Sequence, residues 1–333
     1  MNAKARVVSG MRPTGRLHLG HLVGALSNWV ALQDTYDCFY FVADWHALTS
    51  EYADTSAVAA NGYDMVADWI AAGLDPGKCT FFVQSLVPEH AELFLLLSMV
   101  VPVPWLERVP TYKEQQENLK DRDLSTFGFL GYPLLQTADV AIYDAKFVPV
   151  GEDQVAHLEL SREVVRRFNN FFGETLHEPQ PMLTKVSRLP GIDGDKKMSK
   201  SIGNTIHLSD DADTVMKRVR QMYTDPKRVR ADIPGTVEGN PVFIYHDTFN
   251  PDTAEVEDLK ERYRTGKVGD VEVKTKLAKA LNAHLDPIRA RRAAALAKPN
   301  AIREILHEGS KKARAVAEQT MDRVRDAVKL RYS

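Results

Sequence analysis

Three times within its first hundred residues the chain repeats one unit, in which a short apolar run is followed by a loop and then by a stretch with helical periodicity. The apolar runs are residues 6–8, 38–43 and 80–83, and the helical stretches that follow are 17–32, 55–72 and 88–101. Strands that alternate with helices in this way form a parallel sheet, and the helices cover both of its faces. The sequence therefore predicts an α/β fold whose ligands bind at the carboxyl ends of the strands.

The character of the chain changes in its second half. From about Asp210 onward helical patterns dominate, and Ser209 is a candidate N-cap because the acidic residues Asp210, Asp211 and Asp213 follow it. At 333 residues the chain exceeds the size at which a single core stops growing. We therefore predict a first domain over residues 1–205, leaving open whether a helical C-terminal segment returns to it, and a mainly helical domain over 206–333.

The composition is that of a soluble protein. Hydrophobic residues make up 44% of the chain and charged residues 26%, and no window approaches the roughly 20 apolar residues of a membrane span. The first residues contain no apolar stretch typical of a signal peptide. The two cysteines, Cys38 and Cys79, each lie in an apolar segment. We expect a cytoplasmic protein with reduced thiols in its core.

The charge is unevenly distributed. Residues 274–333 contain 15 Lys and Arg against 6 Asp and Glu, a balance of +9, which leaves −11 for residues 1–273. A basic helical segment is what a surface that binds phosphates requires, although a solvated helix face has the same composition.

The segment His18-Leu19-Gly20-His21 stands where the first loop meets the first helical stretch. A triphosphate requires N–H donors, a helix N-terminus and close approach of the backbone, all of which this segment offers. Gly15 and Gly20 add room for a ligand. The alternative is two histidines that only cap or cover a helix.

A second basic segment, Lys196-Lys197-Met198-Ser199-Lys200-Ser201, is flanked by glycines on both sides. A mobile loop of this kind is suited to closing over the charge that develops on a leaving pyrophosphate. In isolation, a solvated basic turn is the better explanation of this segment.

The two segments in this order resemble the signature of class I aminoacyl-tRNA synthetases. Further segments resemble the tryptophanyl-tRNA synthetase family, namely residues 13–21, 42–49, 132–139, 149–154 and 308–325. The resemblance covers essentially the whole chain. It implies a Rossmann-like catalytic domain that is followed by an α-helical anticodon-binding domain.

For the nucleotide, the resemblance assigns catalytic roles to His18, His21, Lys197 and Lys200. It places ATP against Arg12, Pro13, Thr14, Gly20, His21, Gly151, Glu152, Asp153, Leu189, Lys197, Met198, Ser199, Lys200 and Ser201. In this assignment Gly151 and Asp153 hold the ribose, and the loop lysines bind the β- and γ-phosphates. Lys113 stands where relatives have a further phosphate-binding lysine.

For the amino acid, the resemblance assigns Gly10, His46, Tyr132, Gln136, Asp139, Val148 and Gln154. Tyr132, Gln136 and Gln154 would surround the α-ammonium group, and Asp139 would accept the indole N–H. Positions 132, 136 and 139 are spaced i, i+4 and i+7, so on a helix they share one side. A structural hydrogen-bond network is the alternative for this polar triplet, and His46 fits a packed core histidine equally well.

The resemblance implies an enzyme that activates L-tryptophan with ATP and Mg²⁺ and transfers it to the 3′ end of tRNA(Trp), acting as a homodimer away from membranes. Gln136 departs from the methionine of many relatives, and the 132–139 pattern also resembles tyrosyl-tRNA synthetases. Some relatives with this glutamine carry a cysteine-ligated iron–sulfur cluster, which the positions of the two cysteines here exclude.

Two other classes of protein share part of this pattern. Small nucleotidylyltransferases also bind ATP through H-x-G-H but lack the lysine loop and the basic helical segment. A non-catalytic RNA-binding relative would keep the basic segment and lose catalytic residues, yet every catalytic position is filled here.

Overall fold

The structure is a computed structural model that describes residues 4–110, 112, 123–151, 154–183, 189–194, 198–200, 202–228 and 230–332. The chain forms two compact units. The sheet unit comprises Met1–Gly15, Asn28–Lys185 and Lys298–Ser333, and the helical unit comprises Arg16–Ser27 and Val186–Ala297. None of the helices in the described ranges has the length and apolar character that a membrane span requires.

The sheet unit is built on five parallel strands in the order β3-β2-β1-β4-β5. The strands are β1 (Arg6–Met11), β2 (Asp37–Val42), β3 (Cys79–Val83), β4 (Phe147–Val150) and β5 (Gln180–Leu183). Residues 38–42 of β2 are all buried, and because successive side chains point to opposite faces, both faces of the sheet are covered. This confirms the predicted parallel α/β fold, and the first three strands fall on the three apolar runs.

The helices, in chain order, are α1 (Leu19–His21), α2 (Ser27–Leu32), α3 (Asp44–Glu51), α4 (Val58–Ala72), α5 (Glu89–Ser98), α6 (Val103–Glu107), α7 (Phe127–Ala141), α8 (Val155–Phe172), α9 (Ala212–Arg220), α10 (Pro241–Phe249), α11 (Thr253–Arg264), α12 (Asp270–Leu296) and α13 (Pro299–Ala327). A π-helical turn, Leu22–Leu26, separates α1 from α2, and a 3-10 turn, Gln84–Leu86, follows β3. The helix predicted over residues 17–32 is therefore three short pieces.

Aromatic rings fill both faces of the sheet. On one face Tyr40 stacks on Trp29, with ring centroids 4.3 Å apart, and Phe81 meets Trp69 edge to face at 5.6 Å. The other face carries Phe39, Phe41 and Phe82, all buried. Cys38 and Cys79 are buried neighbours on β2 and β3 and are both free thiols, as predicted.

The last helix, α13, packs on β3, the edge strand of the sheet. A Cβ atom at Gly309 would lie 1.8 Å from the carbonyl oxygen of Phe81, so only glycine permits this approach. The hydroxyl of the next residue, Ser310, accepts the N–H of Val83 at 3.2 Å. Helix α13 thereby covers an edge that would otherwise expose unpaired backbone groups.

Ion pairs hold the same helix to the sheet unit. Arg314 pairs with Glu89 at 2.9 Å, Arg325 with Glu92, and Arg323 with Asp144 at 2.7 Å. The compact units therefore group residues 298–333 with the sheet. The predicted division into two domains at residue 205 stays a prediction.

In the helical unit the predicted N-cap at Ser209 is wrong. Helix α9 is capped by Asp211, whose side chain accepts the N–H of Thr214 at 2.7 Å. Asp210 is used differently, because it pairs with Arg16 at 3.2 Å. A negative charge near the N-terminus of a helix interacts favourably with the helix dipole. The cap is the residue whose side chain accepts a free backbone N–H of the first turn, which here is Asp211.

We predict that Gly309→Ala lowers the free energy of unfolding by about 1–3 kcal/mol, because the added methyl group pushes α13 away from β3. The matched control is Gly128→Ala in α7. A Cβ atom there meets nothing within 4 Å, and the substitution replaces a flexible glycine with a residue that favours the helix. Urea unfolding should show the control to be as stable as the wild type or more so. Equal stability of Gly309→Ala and the control would contradict this account of the edge.

Candidate active site

A carboxylate buried in the sheet unit is the centre of a hydrogen-bond network. Asp139 lies on α7 with 1% of its surface exposed. Its Oδ1 atom accepts from Nε2 of Gln84 at 2.7 Å and lies 2.6 Å from Nδ1 of His90, and its Oδ2 atom lies 2.7 Å from Nε2 of His46. Three side chains from three separate segments thus converge on one charged group.

The network continues from His90 to Tyr143, whose hydroxyl lies 2.6 Å from Nε2 of the histidine. Burial, followed by the negative charge of Asp139, raises the pKa of Tyr143 well above its ordinary value, so the phenol keeps its proton. Nδ1 of His90 faces the ionised Asp139, which can only accept, so Nδ1 carries a hydrogen. In a neutral imidazole Nε2 is then an acceptor, and the phenol donates to it.

The network keeps Asp139 ionised. Burial alone would raise the pKa of Asp139, but the electrostatic attraction of His46 and the hydrogen bonds of His46 and His90 outweigh burial and lower the pKa to about 2. An ionised carboxylate accepts hydrogen bonds and cannot donate them. The Asp139 side chain is therefore an acceptor only.

The other residues predicted to bind the amino acid also lie in the sheet unit. Tyr132 and Gln136 are half-buried on the same helix as Asp139, Val148 is buried on β4, and Gln154 is the exposed residue that precedes α8. The helical spacing of positions 132, 136 and 139 is confirmed. Contact of these side chains with an amino acid stays a prediction.

Gly10 lies on β1, where a Cβ atom would be 2.4 Å from the Phe41 ring. The phenyl ring thus rests against the strand backbone at this position. The prediction that Gly10 makes room for a bicyclic side chain remains untested. Nε2 of His46 lies 2.7 Å from Oδ2 of Asp139. This contact is compatible with both alternatives for His46, a residue that faces the ligand and a packed core histidine.

Sequence reasoning missed Gln84, His90 and Tyr143. Gln84 follows the last residue of β3, His90 lies on α5, and Tyr143 stands four residues after Asp139. All three are fully buried. A buried polar group without a partner is costly, so their positions were a signal that such partners exist.

In the helical unit the structure brings the two signature segments together. The N–H of Gly20 lies 3.4 Å from the thioether sulfur of Met198. Backbone bonds join the surrounding chain, because Leu19 donates to the carbonyl of Ile206 at 2.9 Å and Leu208 donates to Leu17 at 3.0 Å. The first segment of the signature is therefore held beside the second.

The two histidines of the first segment are close to each other. The backbone N–H of His18 donates to Nδ1 of His21 at 3.2 Å, and the ring centroids are 3.8 Å apart. A Cβ atom at Gly20 would approach the His18 ring at 3.0 Å, so glycine permits this arrangement. The histidines cap the start of α1, as the simpler alternative proposed, and this leaves their phosphate role as a prediction.

Asn204 braces the lysine loop. Its Oδ1 accepts the N–H of Ser199 at 2.8 Å, and its Nδ2 donates to both carboxylate oxygens of Asp193, at 3.1 and 3.0 Å. Gly203 turns the chain with φ +74°, and its N–H donates to the carbonyl of Lys200. Asn204 and Gly203 thus hold the backbone of Ser199 and Lys200.

The remaining nucleotide predictions fall in several places. Arg12, Pro13, Thr14 and Gly151 belong to the sheet unit and follow β1 and β4, at the carboxyl ends of the strands. Leu189 is buried in the helical unit, and its carbonyl faces the N–H of Met198 at 3.5 Å. Lys113, Glu152, Asp153, Lys197 and Ser201 lie outside the described residues. Within the described part of the chain, no group of three or more His, Cys, Asp or Glu side chains could hold a metal ion.

We predict that Asp139→Asn lowers the free energy of unfolding by about 2–4 kcal/mol, because the donors of Gln84 and His90 lose a charged acceptor. With a pKa of about 2 in the folded protein and about 4 in the unfolded chain, the ionised group stabilises the fold fully above about pH 4. The difference in the free energy of unfolding between the wild type and Asp139→Asn should therefore shrink as the pH falls from 4 to 2.

The control for this experiment is Asp34→Asn, which removes an exposed carboxylate paired with Lys78. Denaturant titrations of both variants should show a loss of less than about 1 kcal/mol for the exposed site. A difference between wild type and Asp139→Asn that stays constant down to pH 2 would contradict the assigned ionisation.

Comparison with known proteins identifies the family. Residues 1–286 match the family model described as tRNA synthetases class I (W and Y). The chain is 50% identical to the tryptophan--tRNA ligase of Thermotoga maritima over 328 residues, which cover 98% of this chain and 100% of the relative. It is 49% identical to that of Treponema pallidum over 327 residues, covering 98% and 97%.

A solved structure agrees with these relatives. The tryptophanyl-tRNA synthetase of Campylobacter jejuni, complexed with ADP and tryptophan, superimposes with a TM-score of 0.87 at 32% identity, over 97% of this chain and 99% of that one. The chain therefore belongs to the class I aminoacyl-tRNA synthetases, and within them to the tryptophanyl-tRNA synthetase family.

Proposed function

We propose that this enzyme activates L-tryptophan with ATP and transfers the tryptophanyl group to the 3′ end of tRNA(Trp). The observation that carries the proposal is Asp139, a buried and ionised acceptor that matches the indole N–H, a group that only donates. The relatives of the chain over its whole length are named tryptophan--tRNA ligases, which supports the same substrate.

In the first step the carboxylate of tryptophan attacks the α-phosphorus of ATP. A bond forms between the carboxylate oxygen and the phosphorus, the bond to the bridging oxygen breaks, and pyrophosphate leaves with its Mg²⁺. No covalent bond to the protein is required, so positioning and charge stabilisation carry the rate. Mg²⁺ enters as part of the ATP complex.

His18 and His21 would donate to the phosphates, and Gly20 would let them approach the backbone. Lys200, with Lys197, would stabilise the charge that develops on the leaving pyrophosphate. The contact of Gly20 with Met198 supports this assignment, because it places the lysine loop beside the histidine segment.

For the amino acid, Tyr132, Gln136 and Gln154 would bind the α-ammonium group. Asp139 would accept a hydrogen bond from the side chain. Gly10 and Val148 would border the indole ring. A phenol can also donate to Asp139, so tyrosine is the competitor that experiments must exclude.

The excess of positive charge in residues 274–333 supports a surface that binds tRNA. Some of these positive side chains, however, make hydrogen bonds and ion pairs within the protein. Lys274 is buried and donates to the carbonyl of Met222 at 2.6 Å, and Arg314 and Arg325 pair with glutamates of α5. The residues left for phosphates are therefore fewer than the sequence count. We propose that the anticodon is bound within residues 206–333, and that charging takes place in the cytoplasm.

We also propose a homodimer. Large apolar side chains on α5, α6, α7 and α8, or next to them, are half or more exposed: Leu95, Met99, Val103, Phe127 and Phe171. Helices α5, α6 and α8 all pack on α7, so these residues share one region of the sheet unit. An exposed apolar surface of this kind fits a second copy of the chain.

We predict that tryptophan supports exchange of labelled pyrophosphate into ATP. A benzothiophene analogue without the N–H should be poorer by roughly 10–100-fold in kcat/KM, because the charged acceptor is left unpaired. Asp139→Ala should reduce this difference. Each natural amino acid is tested separately, and faster exchange with tyrosine than with tryptophan would overturn the proposal.

We predict that Lys200→Ala slows adenylate formation on the order of 100-fold while ATP binding weakens much less, because the lysine acts mainly on the transition state. Single-turnover kinetics at saturating ATP separate the two effects. Lys217→Ala removes an exposed lysine of α9 in the same unit and serves as the control. Loss of ATP affinity with an intact single-turnover rate would refute the role.

A further inference from the structure

The two oxygens of Asp139 are not equivalent. Oδ1 receives two hydrogen bonds, from Gln84 and His90, whereas Oδ2 receives one, from His46. A carboxylate oxygen offers two lone pairs, so Oδ1 is fully used and Oδ2 has one acceptor position left within the described part of the chain.

His90 has no freedom to turn. Its side chain has no exposed surface, and its ring lies among Phe41, Phe82 and Tyr143, with centroids 5.3–6.2 Å away. Both ring nitrogens are bonded, one to Asp139 and one to the Tyr143 hydroxyl. The phenol thereby determines which nitrogen carries the hydrogen, and that nitrogen faces Oδ1.

We propose that His90 and Tyr143 are positioning residues for amino-acid selection, because they hold Oδ1 and leave Oδ2 as the acceptor for the side chain of the substrate. The inference rests on the proposed function and adds two residues that do not touch the substrate. If the phenol is removed, His90 can take the other tautomer, in which Nδ1 no longer donates to Oδ1. The carboxylate can then rotate, which weakens the hydrogen bond that Oδ2 accepts from the indole N–H. This is the bond by which the site distinguishes tryptophan from an analogue without that N–H.

The test compares two buried phenols of the same unit. Tyr143→Phe removes the hydroxyl that donates to His90, and Tyr40→Phe removes a hydroxyl that donates to the carbonyl of Trp29 on the opposite face of the sheet. Both side chains are fully buried, so the two variants lose comparable packing and one hydrogen bond each. Only the first change reaches Asp139.

The readout is the ratio of kcat/KM for tryptophan to kcat/KM for the benzothiophene analogue in pyrophosphate exchange. Tyr143→Phe should lower this ratio by about 3–10-fold, the worth of one hydrogen bond, with kcat/KM for the analogue unchanged. Tyr40→Phe should leave the ratio at the wild-type value even if it lowers the free energy of unfolding. An unchanged ratio in Tyr143→Phe, or equal changes in both variants, would overturn the inference.

A measurement on the wild type protects the test against a variant that fails to fold. Nitrogen-15 spectra of histidine-labelled protein should show His90 with hydrogen on Nδ1 and none on Nε2 at neutral pH. Hydrogen on Nε2 would also overturn the inference. Failure of the proposed function is distinct, because the wild type would then show no exchange with tryptophan.

Discussion

The structure of the candidate site depends on one buried negative charge. Asp139 lies inside the sheet unit, and an ionised carboxylate is stable there only if donors replace the water it has lost. Those donors come from α3, from the turn after β3 and from α5. Satisfying the charge therefore fixes the segments that follow β2 and β3 relative to α7. In the proposed function the same hydrogen bonds also orient the acceptor for the ligand.

The helical unit solves a different problem, the close approach of the two signature segments. Gly20 allows the side chains of His18 and Met198 to lie against α1. Gly191 makes room for Asn204, because a Cβ atom at position 191 would lie 2.0 Å from Nδ2 of Asn204. The chemistry proposed here forms no bond to the protein, so such positioning is the main contribution of these residues to the rate.

Much of this could be predicted from local pattern. Apolar runs followed by helical periodicity predict the parallel sheet, and the two signature segments predict the family. The contacts of Gln84, His90 and Tyr143 could not be predicted, because they join residues about 50 positions apart through tertiary packing. The attachment of α13 to β3 is equally non-local. Ser209 is not the cap because α9 begins at Ala212, directly after Asp211, whose side chain accepts the N–H of Thr214.

We propose that Oδ2 of Asp139 accepts the indole N–H of the substrate while Oδ1 stays bonded to Gln84 and His90. A crystal structure of the enzyme with tryptophan tests it most directly. We expect an indole nitrogen at about 2.7–3.1 Å from Oδ2, with Gln84 and His90 still bonded to Oδ1. An indole nitrogen bonded to another residue, or a carboxylate turned so that Oδ1 meets the ligand, would contradict it.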